Sequence, residues 1–424
     1  HEMQIKKSIN NNRKELVDTL YLIMLQGINQ LLPIIVMPYL MVKLGAEGYG
    51  YVGFSLSVVQ YLIIIVDFGF NLSATKRIAV VAGDRIALSR VFWNVVAAKL
   101  LLMFVTTLAL FVLVVFVPTF RLYDNAIIAT YPMLLGSALT FMWFFQGIGR
   151  IRLFSIMNTV SKLVLLPLIF VFVQTPDDYV MAALLQAVVF VSTAVISNIY
   201  IARQRLVAWV RPTWLLVKEE LHVSFPLFLS SASTSVYTQF IVIVLGFYCT
   251  TEEIGKYTSA ERIMRAMCFL LYVPLNQVFF PRISQLAVRG NGEDRLLFRQ
   301  VRFIVLGIML AVSVALWGGS WWLPSLLGPD YVGMDVYMRI FALAPNAIGF
   351  GGVYGQMGLI GIGNEYTSRR FRDVYFVAAV SAFVLMFTLI PFFQATGASL
   401  VVTLTEVIVA LLMFYNFKKY LSVC

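Results

Sequence analysis

"VFWNVVAAKLLLMFVTTLALFVLVVFV", residues 91–117, runs for 27 residues and carries one charge, Lys99. At 1.5 Å of rise per helical residue it crosses a hydrocarbon core of roughly 30 Å with room to tilt, whereas a barrel strand would be about ten residues of alternating polarity. The stretch reads as a transmembrane helix. The whole chain has the same character: 60% hydrophobic and 12% charged residues with a mean hydropathy of +0.85 are not the surface-to-core ratio of a soluble 424-residue protein.

Similar apolar runs predict about twelve spans. They lie near 16–42, 48–73, 91–117, 125–148, 152–174, 178–201, 222–248, 254–280, 300–326, 332–357, 372–392 and 396–417. The expected fold class is an all-α integral membrane protein. Short loops on the cytoplasmic side keep Lys and Arg. With the N-terminus inside, the inner segments hold groups such as Lys76, Arg77, Arg85 and Arg90, then Arg203, Arg205, Arg211 and Lys218, then Arg369, Arg370 and Arg372. The outer loops hold Lys43, Arg121 and Lys256 beside seven acids, from Glu47 to Asp330. Both termini are expected in the cytoplasm, no cleavable leader is read before the first span, and the net charge of +11 follows from topology, with no reason to invoke nucleic acid.

Chemistry of other kinds finds little footing. Cys249, Cys268 and Cys424 show no CxxC spacing, so neither a disulfide framework nor a metal site is inferred. His222 at a helix start reads as a cap or surface residue, and no GxxxxGK[ST] phosphate loop is present. The polar segments near 202–221 and 281–299 are too short for a catalytic domain, so no catalytic residue and no cofactor are assigned.

A shift of 205 lays "LGAEGYGYVGFS" (44–55) on "CTTEEIGKYTSA" (249–260), matching Glu47 to Glu252 and Gly50 to Gly255. In that register Gln26, Asn29, Gln30 and Pro33 meet Ser231, Thr234, Ser235 and Thr238, a polar stripe at i, i+3, i+4 and i+7 on the first helix of each half. Two parallel repeats of six helices about an axis along the membrane normal are the expectation: a lobe at 1–202, a cytoplasmic linker at 203–221 on the inner membrane surface, and a lobe at 222–424. The stripes have two open readings, helix–helix packing or the lining of a water-filled cavity.

Charges inside the spans narrow the choice. In "SAERIMRAMCFLL" (259–271), Arg262 lies about 10 Å and Arg265 about 15 Å from the outer end of the span near Gly255, too deep to snorkel easily. A charge there costs about 3 kcal/mol against lipid, so it should face protein or water. Thr258, Arg262, Arg265, Tyr272 and Asn276 fall near one face, read as turned to a cavity. Glu261 can pair with Arg265 at i, i+4, which leaves Arg262. Lys99, Lys162 and Arg339 are the other deep cations, against Asp67, Glu261 and Glu406, and that balance suits an anionic cargo such as a diphosphate gripped by forked hydrogen bonds. Asp67 reads either as the partner of Lys99 or Lys76 at an inner gate or as a proton acceptor, and Glu406 as a partnered structural acid or an ion-coupling site.

Five collinear segments, "DFGFNLSATKRIA" (67–79), "WFFQGIGR" (143–150), "SKLVLLPLIFVFV" (161–173), "AERIMRAMCFLLYVPLNQVFFPRIS" (260–284) and "FKKYLSVC" (417–424), resemble the Wzx-type O-antigen flippases of the multidrug/oligosaccharidyl-lipid/polysaccharide exporter superfamily. The resemblance spans nearly the whole chain. It implies a V-shaped pair of six-helix lobes around a central cavity, and transfer of undecaprenyl-diphosphate-linked oligosaccharide units from the cytoplasmic to the periplasmic leaflet of the bacterial inner membrane. It carries a cationic diphosphate-binding role to Arg262, Arg265 and Lys162; Lys99 and Arg339 join them on depth alone. It implies alternating access driven by a proton or sodium gradient, membrane lipids as surroundings, and a polymerase and chain-length regulator of the same pathway as candidate partners. The rival readings are an exporter of drugs or of another lipid-linked precursor, and a membrane repeat-unit polymerase; the cation excess and the short outer loops weigh against drugs and polymerase respectively.

Overall fold

The computed structural model describes the backbone over 2–289 and 292–421, and side chains at 27, 31–229, 231–287 and 292–420. Among the described residues every regular element is helical. Among the described residues nine helices are long and apolar enough to cross a membrane, ten when the bent pair Trp214–Leu229 and Ser231–Leu245 is counted as one. The chain is a multi-pass membrane protein.

The two longest elements explain much of the difference from twelve. Helix Glu2–Asp67 has 66 residues and helix Glu365–Leu421 has 57, lengths of about 100 Å and 85 Å that no single crossing needs. Each contains one non-helical residue, Gly45 (φ 65°) and Gln394 (φ 51°), at the two places where the sequence reading put a loop between consecutive spans. Gly45 suits its break because the left-handed region is open to glycine, and a Cβ there would also press on Asp330 Oδ2 at 2.7 Å.

Other spans are segmented. The fourth comprises Asp124–Thr130, Pro132–Leu139 and Met142–Gly147, broken where Pro132 removes a backbone donor. Two π-helical turns, Val236–Phe240 and Gly352–Ile360, interrupt the seventh and tenth. Helix Arg85–Phe116 begins at an Asp84 cap, whose carboxylate accepts from Ile86 N at 2.8 Å and Ala87 N at 3.1 Å.

The chain divides into two compact units. One takes the chain up to Lys43 together with Leu62–Phe228; the other takes Leu44–Tyr61 with Leu229 onward. The first is built on an aromatic core in which the Phe92 ring lies edge-on to Phe141 at 4.9 Å and Phe144 at 5.1 Å, with Phe70, Trp143, Phe145 and Phe154 buried around it. Phe70, Trp143, Phe144 and Phe145 among them come from the "DFGF" and "WFFQ" segments. Between helices in lipid such packing replaces the hydrophobic effect as the source of cohesion, each aromatic pair contributing about 1 kcal/mol.

In the second unit, stretch 44–61 crosses helix Thr251–Arg289 at backbone contact. A Cβ on Gly50 would collide with the Thr251 carbonyl, one on Gly255 with the Ala46 carbonyl, and one on Gly53 would press on Thr258 Oγ1 at 2.9 Å. All three pairings obey the offset of 205: Gly50 corresponds to Gly255, Ala46 to Thr251, Gly53 to Thr258. Such reciprocity is what a local two-fold axis produces.

Candidate functional site

Arg262 lies about 16 Å along the axis from the first residue of helix Thr251–Arg289, inside the candidate span. Its Nη1 donates to Tyr49 Oη at 2.9 Å, and its guanidinium carbon sits 5.3 Å from the Tyr49 ring centroid. Tyr49 is fully buried, so the phenol is a fixed platform that holds the guanidinium by a hydrogen bond and by its ring face. Arg262 is half-buried and forms no ion pair among the described residues. Its other N–H groups have no protein acceptor among the described residues.

Arg265, one turn further, is differently placed. Its Nε donates to Glu261 Oε1 at 2.8 Å, and Glu406 lies within electrostatic reach. Among the described residues its Nη2 is buried without a hydrogen-bond partner, as are the Tyr257 and Tyr272 hydroxyls and Asn276 Oδ1. Glu406 is 9% exposed and forms no ion pair among the described residues. The i, i+4 pair expected from the sequence is therefore formed: Arg265 has a carboxylate partner, and Arg262 has the Tyr49 phenol.

The face read as open to a cavity is largely packed. Thr258 is 2% exposed, lies under Gly53 and bonds back to Ile254 O at 2.8 Å. Tyr272 is buried against Gly352, in the π-helical turn. Two glycines, at 53 and 352, give helix Thr251–Arg289 the room to seat these side chains inward, which helical spacing alone does not reveal.

In the first unit Lys99 is sealed, its side chain 2% exposed. Its Nζ donates to Asp67 Oδ1 at 2.9 Å and to the Ser137 carbonyl at 3.2 Å. Asp67 ends its helix, after which Phe68 (φ 43°) and Gly69 (φ 79°) turn the chain and stack Phe68 on Phe228 at 4.5 Å. Of the two readings of Asp67, the geometry forms the pair with Lys99. Lys162 is half-buried in the last turn of helix Ile151–Leu165, next to Ser161, which meets Ser192 at 3.2 Å. Arg339 is held elsewhere in the second unit by Asp335 at 3.1 Å, the Trp321 ring at 4.5 Å and Ser320 Oγ at 3.3 Å.

The polar stripe is partly visible. Gln26, Asn29 and Gln30 lie outside the described side chains. Ser231 is exposed; Thr234 donates to the Ser231 carbonyl at 2.9 Å and Thr238 to the Thr234 and Ser235 carbonyls at 3.4 Å, so both threonines spend their protons on their own helix just where it turns π-helical. The residue missed by the sequence reading is Tyr49. The repeat offset could have pointed to it, since a segment aligned on 249–260 is a natural neighbour of Arg262.

Comparison with known proteins gives this geometry a context. Residues 16–287 match the family described as "Polysaccharide biosynthesis protein". A relative from Escherichia coli (strain K12) described as "Putative O-antigen transporter" is 29% identical over 95% of this chain and 97% of its own length. Among solved structures, the lipid II flippase MurJ in an inward closed conformation aligns with a TM-score of 0.69 at 12% identity, over 94% of this chain and 87% of that one. An inward-facing multidrug resistance MATE family transporter of the MOP superfamily aligns with a TM-score of 0.65 at 17% identity, over 92% and 94%. At these identities the two structures share the fold.

Proposed function

The chain belongs to the polysaccharide biosynthesis protein family, as a transporter rather than an enzyme, and on that premise we propose that it flips undecaprenyl-diphosphate-linked O-antigen oligosaccharide units from the cytoplasmic to the periplasmic leaflet of a bacterial inner membrane. The observation that carries the reading is Arg262: a guanidinium inside a candidate span, steadied by Tyr49 and, among the described residues, left without a carboxylate.

The barrier to flipping is the hydration of a diphosphate and a sugar chain, which hydrocarbon cannot replace. An uncompensated guanidinium offers forked N–H donors that replace part of it. Arg265, paired with Glu261 and within electrostatic reach of Glu406, stabilises the helix that presents Arg262 and tunes the field around it. Alternating access exposes the site to each side in turn, with both termini in the cytoplasm. A proton or sodium gradient drives the cycle; Glu406, buried and without an ion pair among the described residues, is the acid that couples to it, whereas Asp67 is engaged by Lys99. The family resemblance and the positive-inside pattern support these assignments.

The test is complementation. In a bacterium lacking its own flippase, this chain should restore surface O-antigen and relieve the accumulation of lipid-linked units. Continued accumulation at normal membrane abundance would contradict the reading.

A further inference from the structure

We propose that one end of the first unit, where the linker 204–213 lies along the start of helix Arg85–Phe116, is a docking surface for anionic phospholipid headgroups. The linker is not slack. Ala208 N donates to Ser89 Oγ at 2.8 Å, Trp93 Nε1 donates to Ala208 O at 2.9 Å, and Thr213 N donates to Asn94 Oδ1 at 3.1 Å. Trp93 also meets the Trp209 ring edge-on at 4.6 Å. Three side chains on two adjacent turns of one helix thus fix a non-helical ribbon in place, and Arg205 takes a positive φ of 46° to enter it.

The ribbon and the start of helix Trp214–Ser235 that follows it present two kinds of surface together. Trp209 is 72% exposed, Trp214 67% and Leu215 77%, the amphipathic and apolar groups that settle at the level of headgroups. Around them stand Arg85, Arg90, Arg203, Arg205, Arg211 and Lys218, all exposed and none in an ion pair among the described residues. The neighbouring acids are already committed. Asp84 caps its helix, and Glu219 and Glu220 both meet Arg77, at 3.5 and 3.1 Å. Among the described residues no carboxylate neutralises the six cations.

Charge and exposed apolar surface together select the occupant. Each cation near an anionic membrane surface gains about fivefold in affinity, and arginine forks match phosphate oxygens. A soluble anion would satisfy the charges but would have no use for three exposed apolar side chains beside them. The surface rests on the assignment of the spans and is independent of what the transporter carries, so it can fail without touching the proposed cargo.

Purified chain in a mild neutral detergent provides the test, with the thermal unfolding midpoint measured against added phosphatidylglycerol, phosphatidylethanolamine or glycerol phosphate. The midpoint should rise with phosphatidylglycerol alone, and less so at high salt. The triple variant Arg203→Gln, Arg205→Gln, Arg211→Gln should need about a hundredfold more phosphatidylglycerol for the same rise, and the triple Lys variant should retain it. An equal rise with phosphatidylethanolamine, a rise with glycerol phosphate, or a Gln triple variant that responds like the parent would overturn the proposal. The lipid comparison on the unaltered protein stands even if the triple variants do not fold.

Discussion

Gly50 and Gly255 occupy equivalent positions in the two halves of one helix crossing, each lying against a backbone carbonyl of the other's helix: Gly50 against Thr251, Gly255 against Ala46. A methyl group at either position has no space that a side-chain rotation could free, because the obstacle is backbone. Gly50→Ala and Gly255→Ala should each cost about 1–3 kcal/mol through overpacking. Gly307→Ala, where a Cβ meets nothing within 4 Å inside a helix, should be neutral or stabilising by about 0.5–1 kcal/mol. Thermal unfolding of the three purified variants checks the ordering.

The Lys99–Asp67 pair predicts an asymmetry. Lys99 is sealed while the Asp67 side chain is 26% exposed. Asp67→Asn leaves a buried ammonium uncompensated and should cost about 3–5 kcal/mol. Lys99→Met leaves a carboxylate that water can reach and should cost less. The double variant should be milder than Asp67→Asn, as a double-mutant cycle on unfolding midpoints would register.

Thr234 and Thr238 donate to carbonyls of their own helix, so their loss should matter little to folding. Thr234→Ala and Thr238→Ala are each expected within about 0.5 kcal/mol of the parent, read by membrane abundance and unfolding midpoint. A large loss of stability would mean that these hydroxyls make contacts across helices.

Cys249 lies between candidate spans, and burial, helped by the charge of Glu253, pushes its thiol up to about 12. In a variant with Cys268 and Cys424 replaced by Ser, alkylation at pH 8 should run about a thousandfold slower than for an unperturbed thiol. Because the thiolate is the nucleophile, the rate should climb about tenfold per pH unit from pH 8 to 10. A fast, pH-insensitive reaction would contradict the burial.

The spans and the breaks near Gly45 and Gln394 were legible because length and polarity of apolar runs follow directly from bilayer thickness. The repeat was legible as an offset of 205, and the structure gives that offset a physical meaning in the Gly50–Gly255 crossing. The Glu261–Arg265 pair followed from helical spacing. What spacing could not show is where Thr258 and Tyr272 point once Gly53 and Gly352 let neighbouring helices approach, or that stretch 44–61 packs within the second unit. Deep cations also looked alike in sequence, yet Lys99 and Arg339 have carboxylate partners and Arg262 has a phenol, a difference set by tertiary neighbours.

Arg262 decides the central claim. The most direct measurement is surface O-antigen in a flippase-deficient bacterium carrying Arg262→Ala or Arg262→Lys, with membrane abundance matched to the parent. Polymer should be lost with alanine and partly restored with lysine, which keeps the charge without the fork. Normal polymer with Arg262→Ala would contradict the claim that this guanidinium grips the cargo.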